Sequence, residues 1–163
     1  MNDRWVLNAS PLIAMGKIGQ IALFTSLAQE VIVPSAVAEE IKAGPKSDAA
    51  RLAIESGIFK IIQAPEPTPE LIAWDLGAGE TSVIAYALNN LGWTAILDDA
   101  AARKCASSFG VSVKGSLAVV VLAKKRGLVP SAKQLIRAMQ DAGLRLDERL
   151  VRQVLKETVG EEW

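Results

Sequence analysis

Short apolar runs and helix-spaced apolar positions alternate along most of the chain. Trp5-Val6-Leu7, Val31-Ile32-Val33, Ile58-Phe59-Lys60-Ile61-Ile62, Thr94-Ala95-Ile96-Leu97 and Val111-Ser112-Val113 each have the length and residue types of a short strand. None alternates strictly between apolar and polar positions, which suits strands covered on both faces. The helical stretches between them have readable ends. Ser10-Pro11 offers an N-cap and a first-turn proline ahead of Leu12-Ile13. Pro34-Ser35 opens a helix from Ala36 to Ala43, which Gly44-Pro45 stops, and Ser47 or Asp48 opens another that ends at Gly57. From Gly79 to Leu91, the residues Val83, Ile84, Ala87, Leu88 and Leu91 keep helical spacing, and Gly92 closes the segment. Asp98 or Asp99 starts a further helix ending near Gly110.

The last part of the chain changes character. Gly115 to Arg126, Ser131 to Ala142 and Asp147 to Thr158 read as consecutive helices, punctuated by Gly127, Pro130 and Gly143. Ala64-Pro65-Glu66-Pro67-Thr68-Pro69 is linker-like in composition but reads as a surface turn rather than a domain boundary. The pattern predicts an α/β three-layer sandwich, with a short parallel sheet flanked by helices and a helical C-terminal end. At 163 residues a single domain is expected, with a core over about 4–130 and a helical extension over 131–163.

Composition narrows the chemistry. Half the residues are hydrophobic, which makes an apolar interface in a homodimer an expectation. Eighteen Lys and Arg balance eighteen Asp and Glu, so no net field draws the chain to polyanions or membranes, and any nucleic-acid contact must be local. With one cysteine, Cys105, no signal-peptide pattern and no apolar stretch longer than Leu117 to Ala123, a cytoplasmic location without a membrane span is expected. There is no histidine, which excludes His general-base catalysis, Ser-His-Asp and Cys-His nucleophiles, and imidazole zinc sites. Carboxylates, hydroxyls, Lys, Arg or a cofactor must carry any chemistry.

Ligands of an open parallel sheet bind beyond the carboxyl ends of its strands. Asn8 ends the first predicted strand, Asp98-Asp99 ends the fourth, Glu39-Glu40 lies one short helix beyond the second, and Glu80 opens the helix before the fourth. Helical phase separates the two glutamates: Glu40 lies three residues from inward Val37, while Glu39 is two from both Val37 and Ile41 and points away. Glu80 leans toward Val83 and Ile84 in the same way. Acids gathered at an apolar margin repel one another and need a cation, and oxygen donors suit Mg²⁺ or Mn²⁺. Each acid also has an ordinary role: Asp98-Asp99 as a helix cap, Glu80 beside a helix dipole, Glu40 as a solvated residue, Asn8 as a turn or cap residue. It is the convergence on one sheet edge that points to a site.

Other motifs carry less. Gly77-Ala78-Gly79 has neither a third glycine nor a preceding strand, so it is no dinucleotide fingerprint, and Gly16-Lys17 lacks the rest of a phosphate loop. Cys105 sits among Ala101, Ala102 and Ala106 as a core residue, and the four Trp residues are scattered.

The ordered fragments NASPLIAMGKIG, VIVPSAVAEEI, LGAGETSVIAYAL, AILDDAAARKCASSFGVSV and GSLAVVVLAKKRGLV resemble the PIN-domain superfamily, and within it the VapC-like ribonuclease and toxin branch. The resemblance spans Trp5 to about Pro130 and extends weakly through the last two helices. It implies an endoribonuclease dependent on Mg²⁺ or Mn²⁺, often dimeric and held inactive as a toxin by a small antitoxin protein. The acidic quartet of the family would fall on Asn8, Glu40, Glu80 and the Asp98-Asp99 pair. Ser10 matches the hydroxyl residue that often accompanies the first acid, and Arg103 an arginine common in this branch. The departure is Asn8, where the family usually has Asp: a carboxamide can ligate through its carbonyl oxygen but brings no charge and cannot act as a base.

The expectation is therefore cleavage of single-stranded RNA at Glu40, Glu80, Asp98 and Asp99, with Ser10, Arg103 and Lys104 toward the substrate. Lys114 and the Lys124-Lys125-Arg126 run would grip RNA backbone or form an ordinary solvated face. One alternative is a degenerate PIN-like module, marked by Asn8, that binds RNA or a protein without cleaving. Another is a phosphatase or flap-type nuclease acting on DNA.

Overall fold

A computed structural model describes residues 3–46 and 48–163. The apolar runs form β1 (Arg4–Leu7), β2 (Glu30–Pro34), β3 (Lys60–Ile62), β4 (Trp93–Ile96) and β5 (Ser112–Lys114). They make one parallel sheet in the order β3-β2-β1-β4-β5, with Val6 beside Ile32 on one side and Ala95 on the other. Position in the sheet explains the residue pattern. Central β1 and β4 are buried along nearly their whole length, whereas the edge strands β3 and β5 keep exposed residues. This is the α/β sandwich the pattern predicts.

Helices α1 (Ala9–Lys17), α2 (Ala22–Leu27), α3 (Ser35–Lys42), α4 (Ala49–Ser56), α5 (Pro69–Ile72), α6 (Ala78–Asn89), α7 (Ala100–Ser108), α8 (Ser116–Lys125), α9 (Ala132–Asp141) and α10 (Glu148–Val154) complete the described chain. A π-helical turn, Leu155–Val159, follows α10 where an unbroken helix to Thr158 was expected. α2 and α5 were not anticipated. The start of α1 also differs: Asn8, not Ser10, is the N-cap, and Pro11 lies within the first turn, where its missing N–H has no intrahelical partner to lose. Asp48 caps α4 by accepting from the Ala50 N–H at 2.8 Å, and Gly57 ends it at φ 81°; Ser47, the other possible opener, lies outside the described residues.

Trp5, Phe24, Leu7, Leu12, Ile84, Ile96 and Leu97 are fully buried at the centre, each such side chain contributing roughly 1.5–3 kcal/mol by leaving water. Ile136, Met139, Val151 and Leu155, from the C-terminal helices, are in the same apolar cluster. Among the described residues no helix is long and apolar enough to cross a membrane.

Candidate active site

Because every strand runs the same way, all carboxyl ends open on one edge, and a helix leading into a strand starts there. Asn8 follows β1, α3 with Glu40 follows β2, Asp98-Asp99 follow β4, Gly115-Ser116 follow β5, and the first turn of α6 carries Glu80.

Gly79, in the first turn of α6, faces both the end of β1 and α3. A Cβ on Gly79 would lie 3.4 Å from Asn8 Oδ1, 3.4 Å from Val37 Cγ2 and 3.5 Å from Glu40 Oε1. The missing side chain leaves a methyl-sized space between α6, α3 and the end of β1, with two side-chain oxygens around it. Asn8 is only 4 % exposed, and its side chain makes no cap bond to α1. Its backbone N–H donates to Ile96 O at 3.2 Å, tying the end of β1 to β4. Glu39 and Glu40 are both exposed, so Glu40 is less enclosed than its spacing suggests, but its carboxylate is the one that reaches Gly79.

Glu80 is half-buried. Burial raises its carboxyl pKa above the ordinary value, and the neighbouring charges of Asp99 and then Glu40 raise it further; a hydrogen bond from the Gly77 N–H opposes them. Among the described residues, neither Glu40 nor Glu80 takes part in an ion pair. Negative charge therefore gathers around the first turn of α6, and among the described residues no ion pair offsets it at Glu40 or Glu80.

The tandem aspartates separate. Asp99 caps α7, accepting from the Ala102 N–H through Oδ2 at 2.9 Å, and it is the aspartate whose charge acts on Glu80. Asp98 turns toward β5 and α8, accepting from the Ser116 backbone N–H at 2.7 Å and from Ser116 Oγ at 2.6 Å. Ser116, fully buried, was not anticipated as part of this edge. Its signal was present, a Gly-Ser pair directly after a strand, but it reads equally as a plain helix start.

Among the described residues, no three His, Cys, Asp or Glu side chains stand close enough to hold a metal ion. The expected gathering of Glu40, Glu80 and either aspartate is thus open rather than a closed cage. Like charges at a partly dry edge repel, Asp98 is drawn off by Ser116, and Asp99 by the start of α7. The donors that remain fit a hard divalent cation: Asn8 Oδ1 and Glu40 Oε1 around the Gly79 gap, the crowded Glu80 carboxylate beside them, and all of them oxygen.

The basic residues divide between this edge and the rest of the fold. Arg103 is exposed; its Nη1 and Asp98 Oδ1 each lie 3.1 Å from where a Gly115 Cβ would be. Arg103 and Lys114 share a hollow of about 350 Å³. Lys104 is exposed on α7, and Ser10 lines a separate hollow with Lys17 and Met139. Lys124 donates to Pro130 O at 2.7 Å, and Arg126 to Leu27 O at 2.8 Å and Asp3 at 3.0 Å, so both serve the fold. Cys105 is fully buried, and burial raises its thiol pKa, which makes it core rather than nucleophile.

A family described as PIN domain matches residues 4–161 of the chain. No curated protein matches it significantly.

Proposed function

The chain belongs to the PIN-domain family, generally nucleases, and from that premise we propose that it is a metal-dependent endoribonuclease cleaving single-stranded RNA. One observation supports the reading most: the side-chain oxygens of Asn8 and Glu40, from two chain segments, meet at the side-chain gap of Gly79, next to a carboxyl group crowded by two other acids. Glu40, Glu80, Asp99 and the Asn8 carbonyl would hold Mg²⁺ or Mn²⁺, which, when bound, offsets phosphodiester charge and acidifies a water.

The residues of the chain divide the remaining work. Glu80, its carboxyl pKa raised by burial and by the charges of Asp99 and Glu40, keeps its proton more readily than an ordinary glutamate in the metal-free fold. Asp98, fixed by two hydrogen bonds from Ser116, acts as a positioning residue that sets the turn presenting Asp99. Arg103 and Lys104, on the helix that Asp99 caps, would meet backbone phosphates, and Lys114 shares the Arg103 hollow. Ser10, farther along the first turn of α1, would contact the strand at its margin. Unpaired RNA suits an open edge of this kind, because its backbone can bend into the site.

The same reading takes the protein as the cytoplasmic toxin of a toxin–antitoxin pair, held by a small antitoxin and forming a homodimer. Exposed Leu52 and Ile58 offer apolar surface for a second copy. A short partner gene beside its own would support the toxin role. Asn8 supports a second reading, a degenerate module that binds RNA or protein without cutting.

Manganese titration with and without EDTA, on fluorescent single-stranded RNA and DNA, separates these readings. RNA cleavage that needs Mn²⁺ and is lost in Glu80→Gln and Asp99→Asn supports the nuclease; binding without cleavage supports the module; equal cleavage of DNA removes the RNA assignment. Asn8→Asp is expected to tighten Mn²⁺ binding about tenfold by adding a charged ligand. Unchanged affinity would place Asn8 outside the site.

A further inference from the structure

Beside the acids, on the other side of the first turn of α6, lies a pocket of about 590 Å³ that the reading above leaves unused. The helices that deliver Glu40 and Glu80 also build this pocket: Ser35 and Ala36 come from the start of α3, and Ala78, Thr81 and Ser82 from the start of α6. A group bound in it would lie within about one helical turn, roughly 5 Å along α6, of Glu80.

The lining has a defined chemistry. Ser35, Gln63, Glu66, Asp75, Thr81 and Ser82 supply its polar groups, and no lysine or arginine among the described residues lines it. Glu66 and Asp75 accept hydrogen bonds only, and the Ser82 hydroxyl, already donating to Gly79 O at 2.7 Å, is left as an acceptor. A phosphate would meet acceptors and negative charge here, whereas a neutral group rich in N–H donors would be satisfied. Pro65, Pro67 and Leu76 provide apolar wall.

The walls are also pre-set. The two prolines fix their own backbone in the segment after β3, and Asp75 holds φ 54°, the only positive φ among described non-glycine residues. A stiff, partly apolar, acceptor-rich slot one helical turn from a carboxylate cluster matches one part of a single-stranded nucleic acid. Its phosphates are excluded by charge, and its sugars have no flat face to set against proline.

We propose that this pocket takes an unpaired nucleobase of the substrate strand, and prefers bases with an exocyclic amino group, as adenine, cytosine and guanine have, over uracil. The inference rests on the RNA-cleaving reading for its ligand, but not on cleavage itself. Bases in single strands are read through their exposed edges, and each hydrogen bond gained or lost there changes affinity about fivefold.

The test measures anisotropy of fluorescein-labelled rA6, rC6 and rU6 with the full chain in EDTA, and then cleavage of the same oligonucleotides in Mn²⁺. The wild type is expected to bind rA6 and rC6 at least about fivefold tighter than rU6. Gln63→Ala, and the double variant Glu66→Gln with Asp75→Asn, are expected to bring that ratio close to one. Asparagine tolerates the positive φ at 75, and melting curves confirm that both variants fold. Equal binding of rU6 in the wild type, a ratio unmoved in both folded variants, or no binding of any of the three overturns the pocket assignment. Base discrimination without Mn²⁺-dependent cleavage would keep the pocket and sink the nuclease reading instead.

Discussion

A carboxyl group that is half-buried against Asp99 and Glu40 resists ionisation, and Glu80 carries that penalty in the metal-free fold. Its folded pKa lies above the unfolded value, so its favourable contribution is complete below about pH 4.5 and is lost as pH rises through the folded pKa. Glu80→Gln, neutral at every pH, should therefore raise the melting temperature in EDTA at pH 7, by no more than about 2 °C because water screens the site. The gain should shrink as the pH is lowered toward 4, and the same variant should lose Mn²⁺-dependent cleavage. A lower melting temperature at both pH values would make Glu80 a structural partner instead. A group that weakens the fold and supports activity is what a functional position is expected to look like.

At the scale of elements, the site depends on the space left between α6 and α3 at Gly79. In Gly79→Ala the new methyl would meet Asn8 Oδ1 and Glu40 Oε1 at 3.4 and 3.5 Å, which is ordinary contact, and φ there is not positive. Helix propensity favours Ala by up to about 1 kcal/mol, so the melting temperature should hold or rise. The gap between the oxygens would be filled, and Mn²⁺ affinity should fall about tenfold or more. Calorimetric titration showing unchanged binding would place the ion elsewhere. The same element shows what the sequence could and could not say. Helical spacing from Val83 to Leu88 was enough to find α6, and acid phase was enough to tell that the Glu40 carboxylate leans toward Gly79. The role of Gly79 was hidden, because a glycine's value as a point of close approach depends on what packs against it, and Gly77-Ala78-Gly79 offered only a comparison with nucleotide loops. Asp98 and Asp99 could not be told apart for a related reason. The partner that separates them, Ser116, is eighteen residues away and meets Asp98 only after β4 and β5 have paired. α2 escaped because its N-cap residue, Ile21, is already helical and makes no side-chain cap bond.

At the scale of the whole molecule, the end of the chain is fastened back onto the start of α9 by a second cap. Glu161 Oε1 accepts from Ser131 Oγ at 2.6 Å and Oε2 from the Ala132 N–H at 2.9 Å, so a distant residue closes the start of α9. Arg137 of α9 lies 4.3 Å from the centre of the Trp163 ring, adding a second tie. Burial alone would raise the Glu161 pKa, but the bonds from Ser131, Ala132 and Lys133, together with the charge of Lys124, outweigh it and lower the value. Its contribution is then complete above the unfolded value of about 4.5 and is lost as pH falls through the lower folded pKa. Glu161→Gln should lower the melting temperature at pH 7 by about 2 °C, the scale of a weakened helix cap in a chain of this size. The difference from wild type should close as the pH drops well below 4.5, the reverse of the trend for Glu80→Gln. Thermal melts of both variants across that range would show the two curves moving in opposite directions if the sheet edge stores charge repulsion while the C-terminal cap stores attraction. Parallel curves would mean that neither carboxylate has the electrostatic surroundings that the fold assigns to it.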